Sequence, residues 1–178
     1  SAGLLSHEGR LISFKGDNPE TMKAIMPEIL STVKGTKQGG AGILSTSSVV
    51  VVTAPMFQGQ HFMGAMFFSF TIKDIAARFL SNIKSDIKGY AWMMDKKGNL
   101  LFHPTQPGMV GHNLYKADAT CFKCHADFDL EKKIIEGKAS NYGRYIAPMG
   151  EDKIIAFSVT EMENLSWVIA MSAPYSEI

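Results

Sequence analysis

The chain has 178 residues, 46% hydrophobic and 20% charged, with 18 basic against 17 acidic side chains and a net charge of +1. That balance excludes a disordered or collagen-like chain and lacks the basic field of a nucleic-acid binder. No apolar run reaches the roughly 18 residues that span a bilayer, and no leader opens at Ser1, so an exported protein would carry its leader and membrane anchor outside this sequence.

In chain order, the first element is a hairpin, Ser6-His7-Glu8-Gly9-Arg10-Leu11-Ile12, with glycine at the turn and apolar residues after it. Pro19 to Val33 predicts a helix with Met22, Ile25, Met26, Ile29 and Val33 on one side and a kink at Pro27. Ile43-Leu44, Val49 to Thr53 and Phe62 to Thr71 read as strands, with a turn at Gln58-Gly59-Gln60. Ile72 to Ile83 keeps the three-four spacing of an amphipathic helix joining two halves. A second hairpin follows, Asp95-Lys96-Lys97-Gly98-Asn99-Leu100-Leu101. Phe128 to Glu136 is helical and ended by Gly137. Tyr145-Ile146, Ile154 to Val159 and Leu165 to Ala173 are strands, with a turn at Glu161 to Asn164.

The two halves repeat. A shift of about 89 residues superposes the hairpins, and a shift of about 103 aligns Ser69 with Ser172 and Asp74 with Glu177. The second half has therefore gained about 14 residues between its hairpin and its third strand. Two strands, a helix and three strands, twice over, predict an α+β fold of antiparallel sheets flanked by helices, in units 1–82 and 83–178.

The inserted interval holds the two cysteines of the chain, in Cys121-Phe122-Lys123-Cys124-His125. Chance would give this spacing followed by histidine roughly once in three thousand. In c-type cytochromes two such thiols add across the haem vinyl groups, and the adjoining imidazole meets the iron. Cys121 and Cys124 are thus candidates for covalent attachment of one haem c, with His125 as proximal iron ligand. Three other readings compete: part of a zinc site, which wants a fourth ligand; a thioredoxin-like dithiol, which wants a βαβ setting; and a local disulfide.

For the sixth ligand, Met109 and His112 precede the motif in the same loop, Met109 after Pro107-Gly108 and His112 in a polar turn. His103, in Phe102-His103-Pro104, ranks behind them, because a turn histidine is the plainer explanation. A glycine-bearing, polar loop around 110–126 is expected to hold its ligand weakly and release it at little cost. Most of the 11 methionines, including Met93 and Met94, read as core filler, and Trp92 and Trp167 as core anchors.

Val49-Val-Val-Val-Thr-Ala-Pro-Met-Phe with Gly64-Ala-Met-Phe-Phe-Ser-Phe resembles the closing part of a Cache unit. Ala91-Trp-Met-Met-Asp-Lys-Lys-Gly-Asn-Leu-Leu-Phe-His-Pro is similar to the opening of the membrane-proximal unit of the same family, and Ser166-Trp167 onward to its last strand. The resemblance implies a double Cache, PAS-like, periplasmic sensor domain of a chemotaxis receptor or sensor kinase, anchored by segments outside this sequence, with a homodimer among its assemblies. The aromatic–arginine–aspartate signature of amino-acid-binding members is not found.

Combined with the motif, the resemblance leads to a sensor of redox state or of a diatomic gas (NO, CO or O2) through covalent haem. No catalytic triad, paired carboxylates or phosphate loop points to an enzyme. Two alternatives stand beside this reading: an electron-transfer cytochrome, and a Cache module binding a small organic ligand with the haem subsidiary.

Overall fold

The computed structural model describes residues 1–17, 19–36, 40–46, 48–84, 88–116, 128–147, 150–162 and 165–177. The chain forms two compact units, Ser1–Thr71 with Met162–Leu165, and Ile72–Glu161 with Ser166–Ile178.

The first unit comprises β1 (Ala2–Ser6), β2 (Leu11–Lys15), α1 (Pro19–Lys34), β3 (Gly42–Ser45), β4 (Val49–Gln58) and β5 (His61–Thr71). The second comprises α2 (Ile72–Phe79), β6 (Tyr90–Asp95), β7 (Leu100–Phe102), α3 (Asp129–Ile135), β8 (Tyr142–Ile146), β9 (Asp152–Met162) and β10 (Leu165–Pro174). Each has a five-stranded antiparallel sheet, ordered β2-β1-β5-β4-β3 in the first and β7-β6-β10-β9-β8 in the second. This is the double α+β, PAS-like arrangement that the repeated element order predicts.

The repeat extends to individual hydrogen bonds. In the first hairpin Gly9 N donates to Ser6 O (2.9 Å) and Ser6 N to Arg10 O (2.8 Å). In the second, Gly98 N donates to Asp95 O and Asp95 N to Asn99 O (both 3.0 Å). Gly9 and Gly98 have φ of 86° and 83°, the left-handed conformation that closes this turn and that glycine adopts without strain. One strand-pair irregularity follows the same shift, between Leu4 and Leu5 in β1 and between Met93 and Met94 in β6. Across the first and last strands, the pair Ser6↔Gly64 becomes Asp95↔Trp167 when its members move by 89 and 103.

Each helix lays an apolar stripe on its sheet. Met22, Met26, Ile29 and Val33 of α1 recur at helical spacing and bury against Leu5, Val49, Val51, Ala65 and Phe67, which point to one face of the first sheet. A fully buried side chain of this size contributes roughly 1.5–3 kcal/mol, which explains why α1 runs on through Pro27 despite the lost backbone donor. In the second unit, Ile134 of α3 meets Trp92, Met94, Ile155, Val168 and Ala170. Gly137, at φ 68°, closes α3 with its N–H on Ile134 O (3.1 Å).

The joining helix is shorter than its spacing predicts and stops at Phe79. Leu80 N and Ser81 N both donate to Ala76 O, and Ser81 Oγ turns back to Ala77 O (2.5 Å), so a serine at the exit competes for the carbonyls that another turn would need.

Candidate functional site

The units differ most between their second strand and their helix. Residues 16–18 make that connection in the first unit, whereas residues 103–128 make it in the second, where the helix shrinks from 16 residues to 7. Cys121, Cys124 and His125 lie in this interval but outside the described residues.

The described part of the interval borders an open pocket, with about 570 Å³ of empty space when its solvent-filled mouth is counted. Trp92 and Met94, alternate residues of β6, form its back wall, joined by Leu100, Leu114 and Phe128. Trp92 and Met94 belong to the core cluster packed on Ile134, so the wall is as fixed as the core itself. His103, Met109 and His112, spread along the loop, all line this one pocket.

His103 is 8% exposed, and its ring packs 5.0 Å from that of Tyr90. Its Nδ1 accepts the Gln106 N–H (3.1 Å), with Thr105 Oγ1 at 3.3 Å from the same nitrogen, so the side chain organises the turn after β7. Met109 is half-buried at the end of a single 3-10 turn, Pro107–Met109, with its N–H on Gln106 O (3.0 Å).

His112 is on a well-tied stretch. Its N–H reaches Met109 O (3.1 Å), and its carbonyl accepts Leu100 N–H (2.9 Å). On either side, Gly111 N donates to Leu100 O (2.8 Å) and Leu114 N to Gly98 O (2.9 Å). Asn113 Nδ2 bonds both Lys97 O (2.7 Å) and Asn99 Oδ1 (2.9 Å). The loose loop expected from 110 onward is thus laced to the second hairpin through residue 114. Glycine and polar residues here serve hydrogen bonds to the hairpin rather than freedom of movement.

Two wall residues escape a reading of the sequence for motifs. Glu131 of α3 is 5% exposed, and Phe128 stands just before the helix. Glu131 has Ile134 and Ile135 at three and four residues' distance, so a charged side chain on an apolar stripe was the available signal. Trp92, expected as a core anchor, is both anchor and pocket wall. Its Nε1–H donates to Ser172 Oγ (2.9 Å) on β10, and Tyr145 Oη lies 3.4 Å from the same hydroxyl. Burial pushes the Tyr145 phenol above its ordinary value, against a smaller opposing effect of the Ser172 bond.

Among the described residues, no group of three or more His, Cys, Asp or Glu is arranged to hold a metal ion. No described helix is long and apolar enough to cross a membrane.

A family model described as Cache domain matches residues 9–178. The chain belongs to the Cache domain family. Solved structures share the fold of this Cache domain at identities too low to carry more. The ligand-binding domain of the Pseudomonas fluorescens chemoreceptor CtaA, in complex with L-isoleucine, superposes with a TM-score of 0.66 at 12% identity, over 99% of this chain and 69% of that one. That of the Pseudomonas aeruginosa PAO1 amino acid chemoreceptor PctB, in complex with L-Gln, gives 0.61 at 15%, over 99% and 68%. The periplasmic sensory domain of the Campylobacter jejuni chemoreceptor Tlp1 gives 0.59 at 18%, over 87% and 57%. No curated protein sequence matches the chain.

Proposed function

We propose that this Cache domain is the periplasmic sensor portion of a bacterial transmembrane signal-transduction receptor, and that its second unit responds to redox state or a diatomic gas through one covalently bound haem c. One observation carries the reading: His103, Met109 and His112, the side chains that the sequence offers to the sixth iron position, line a single pocket. Leu114 and Phe128, which bracket the segment bearing Cys121, Cys124 and His125, line it as well.

Cys121 and Cys124 would supply the thiols for covalent attachment, His125 a nitrogen for the iron, and Met109 or His112 a second donor. Trp92, Met94, Leu100 and Leu114 give apolar walls that keep water from a ring of this kind. Haem c supplies an iron that changes charge on reduction and has a coordination position for a small ligand. A sensor needs either event to favour one of two arrangements of its protein.

The fold relatives favour a second reading, a small organic ligand such as an amino acid, since CtaA and PctB were solved with L-isoleucine and L-Gln. One experiment separates the two. Acid–acetone extraction of the denatured protein should leave haem on the polypeptide, and the variant Cys121→Ala/Cys124→Ala should lose it without altering the melting of the first unit. Haem-free protein that binds an amino acid by calorimetry would overturn the haem reading and establish the second.

A further inference from the structure

We infer that the pocket of the second unit selects for a flat, uncharged ring system and against a zwitterionic amino acid. This selectivity rests on the reading above in taking the pocket as the sensing site, and the described walls alone determine it. An amino acid brings a carboxylate and an ammonium group, and neither leaves water readily without polar partners to replace it. A carboxylate is held by cationic side chains or by backbone N–H groups. No lysine or arginine is among the described residues that line the pocket.

The backbone of the walls is already paired. Gly98 N donates to Asp95 O (3.0 Å), and Gly98 O accepts the Leu114 N–H (2.9 Å). Leu100 N donates to His112 O (2.9 Å), and Leu100 O accepts the Gly111 N–H (2.8 Å). Met109 N donates to Gln106 O (3.0 Å), and Met109 O accepts the His112 N–H (3.1 Å). Gly98, Leu100, Met109 and His112 thus have both backbone groups occupied. The polar side chains are engaged as well. Asn113 gives both amide hydrogens to Lys97 O and Asn99 Oδ1, and its oxygen accepts the Tyr115 N–H (3.0 Å). His103, His112 and Glu131 each interact with other protein groups. A zwitterion would have to displace these partners or go unpaired.

What the walls do offer suits a ring. Trp92 gives its single donor to Ser172 Oγ, so it meets the pocket with carbon. Its indole and the phenyl group of Phe128 favour an aromatic guest, stacked or edge-on. Met94 and Met109 add thioethers, which make favourable contacts with aromatic rings and adjust to their outline. Because Trp92 and Met94 belong to the core cluster, the back wall is preformed and little of it has to move when a ring enters.

The test uses the full chain produced without haem, both with its cysteines intact and as Cys121→Ala/Cys124→Ala, each carrying Trp167→Phe so that Trp92 alone emits. The probe is N-phenyl-1-naphthylamine, an uncharged aromatic that brightens in apolar surroundings and accepts energy from tryptophan. It should bind both forms, with a rise in its own emission and a fall in that of Trp92. L-isoleucine and L-Gln at millimolar concentration should not displace it. Met109→Glu sets a charge on a half-buried wall residue and should weaken binding about tenfold. Met109→Gln, a milder change for a variant that must still fold by far-UV circular dichroism, should act in the same direction, and Met109→Leu should keep the affinity. Phe68→Ser, which removes an exposed ring of the first unit, should leave it unchanged. Absence of probe binding, displacement by either amino acid, or a loss in Phe68→Ser in place of the Met109 variants would overturn the inference. Covalent haem is scored separately, by extraction of the parent. Probe binding without covalent haem in the parent overturns the haem reading and leaves the selectivity standing; covalent haem with a failed titration does the reverse.

Discussion

Ser172→Ala isolates one oxygen atom between the pocket and the last strand. The hydroxyl is fully buried and accepts the Trp92 indole N–H at 2.9 Å, and Trp92 is itself only 5% exposed. Removing the hydroxyl leaves a buried donor without its partner at almost unchanged volume, a loss of about 1–3 kcal/mol. A unit of 60–100 residues loses roughly 4–8 °C of melting temperature for each kcal/mol. Ser69→Ala is the internal control, because Ser69 holds the equivalent place in β5 and is 6% exposed, yet no hydrogen bond to its hydroxyl is found among the described residues. It should cost under about 1 kcal/mol. Urea unfolding followed by tryptophan emission, in a Trp167→Phe background so that Trp92 alone reports, measures the first, and far-UV circular dichroism measures the second, because Ser69 lies in the other unit. Ser172→Ala with the midpoint and emission of its parent would refute the assignment of the indole's partner, and with it the tie between the pocket wall and β10.

Gly98→Ala should cost about 1–3 kcal/mol in urea unfolding, since φ is +83° and the new Cβ would stand 2.9 Å from side-chain atoms of Leu114 and Tyr115. Gly111→Ala, at φ +90° with nothing within 4 Å, should cost only the backbone strain of about 1–2 kcal/mol. Equal losses would refute the steric part of the reasoning. The raised Tyr145 phenol contributes stability that is whole below the ordinary tyrosine value near pH 10 and is lost as pH rises above it, because the unfolded chain then releases a proton that the folded one keeps. Absorbance at alkaline pH should show Tyr145 ionising only as the second unit unfolds; ionisation of all five tyrosines together near pH 10 in folded protein would contradict this.

Much of the fold was legible because its signals are local. The spacing of Met22, Met26, Ile29 and Val33 announces one helix face, and glycine three residues into each hairpin announces a turn that needs positive φ. Comparing the halves at two different shifts located the extra chain. The joining helix was overextended, because Leu80 and Ile83 continue its apolar spacing while Ser81 spends the carbonyls behind it. The pocket was legible only in part. His103, Met109 and His112 could be singled out by chemistry, but their convergence depends on hydrogen bonds from Gly111 to Leu114 onto the hairpin, which leave no periodic trace. Trp92 and Met94 look like any core residues on a strand, and only the third dimension reveals that the core has an open side.

The correspondence of Ser6↔Gly64 with Asp95↔Trp167 shows that the second sheet does not count the residues added between β7 and α3. A slip of one residue in either ladder would exchange inner and outer side chains along a whole strand. Register is instead fixed at the glycine turns and along the strands themselves, upstream and downstream of the added chain. The connection from β7 to α3 is therefore longer than its counterpart in the first unit with no change of register in the strands on either side. Length enters this fold at a junction between ladders, where the pairing of neither strand has to be rebuilt to admit it.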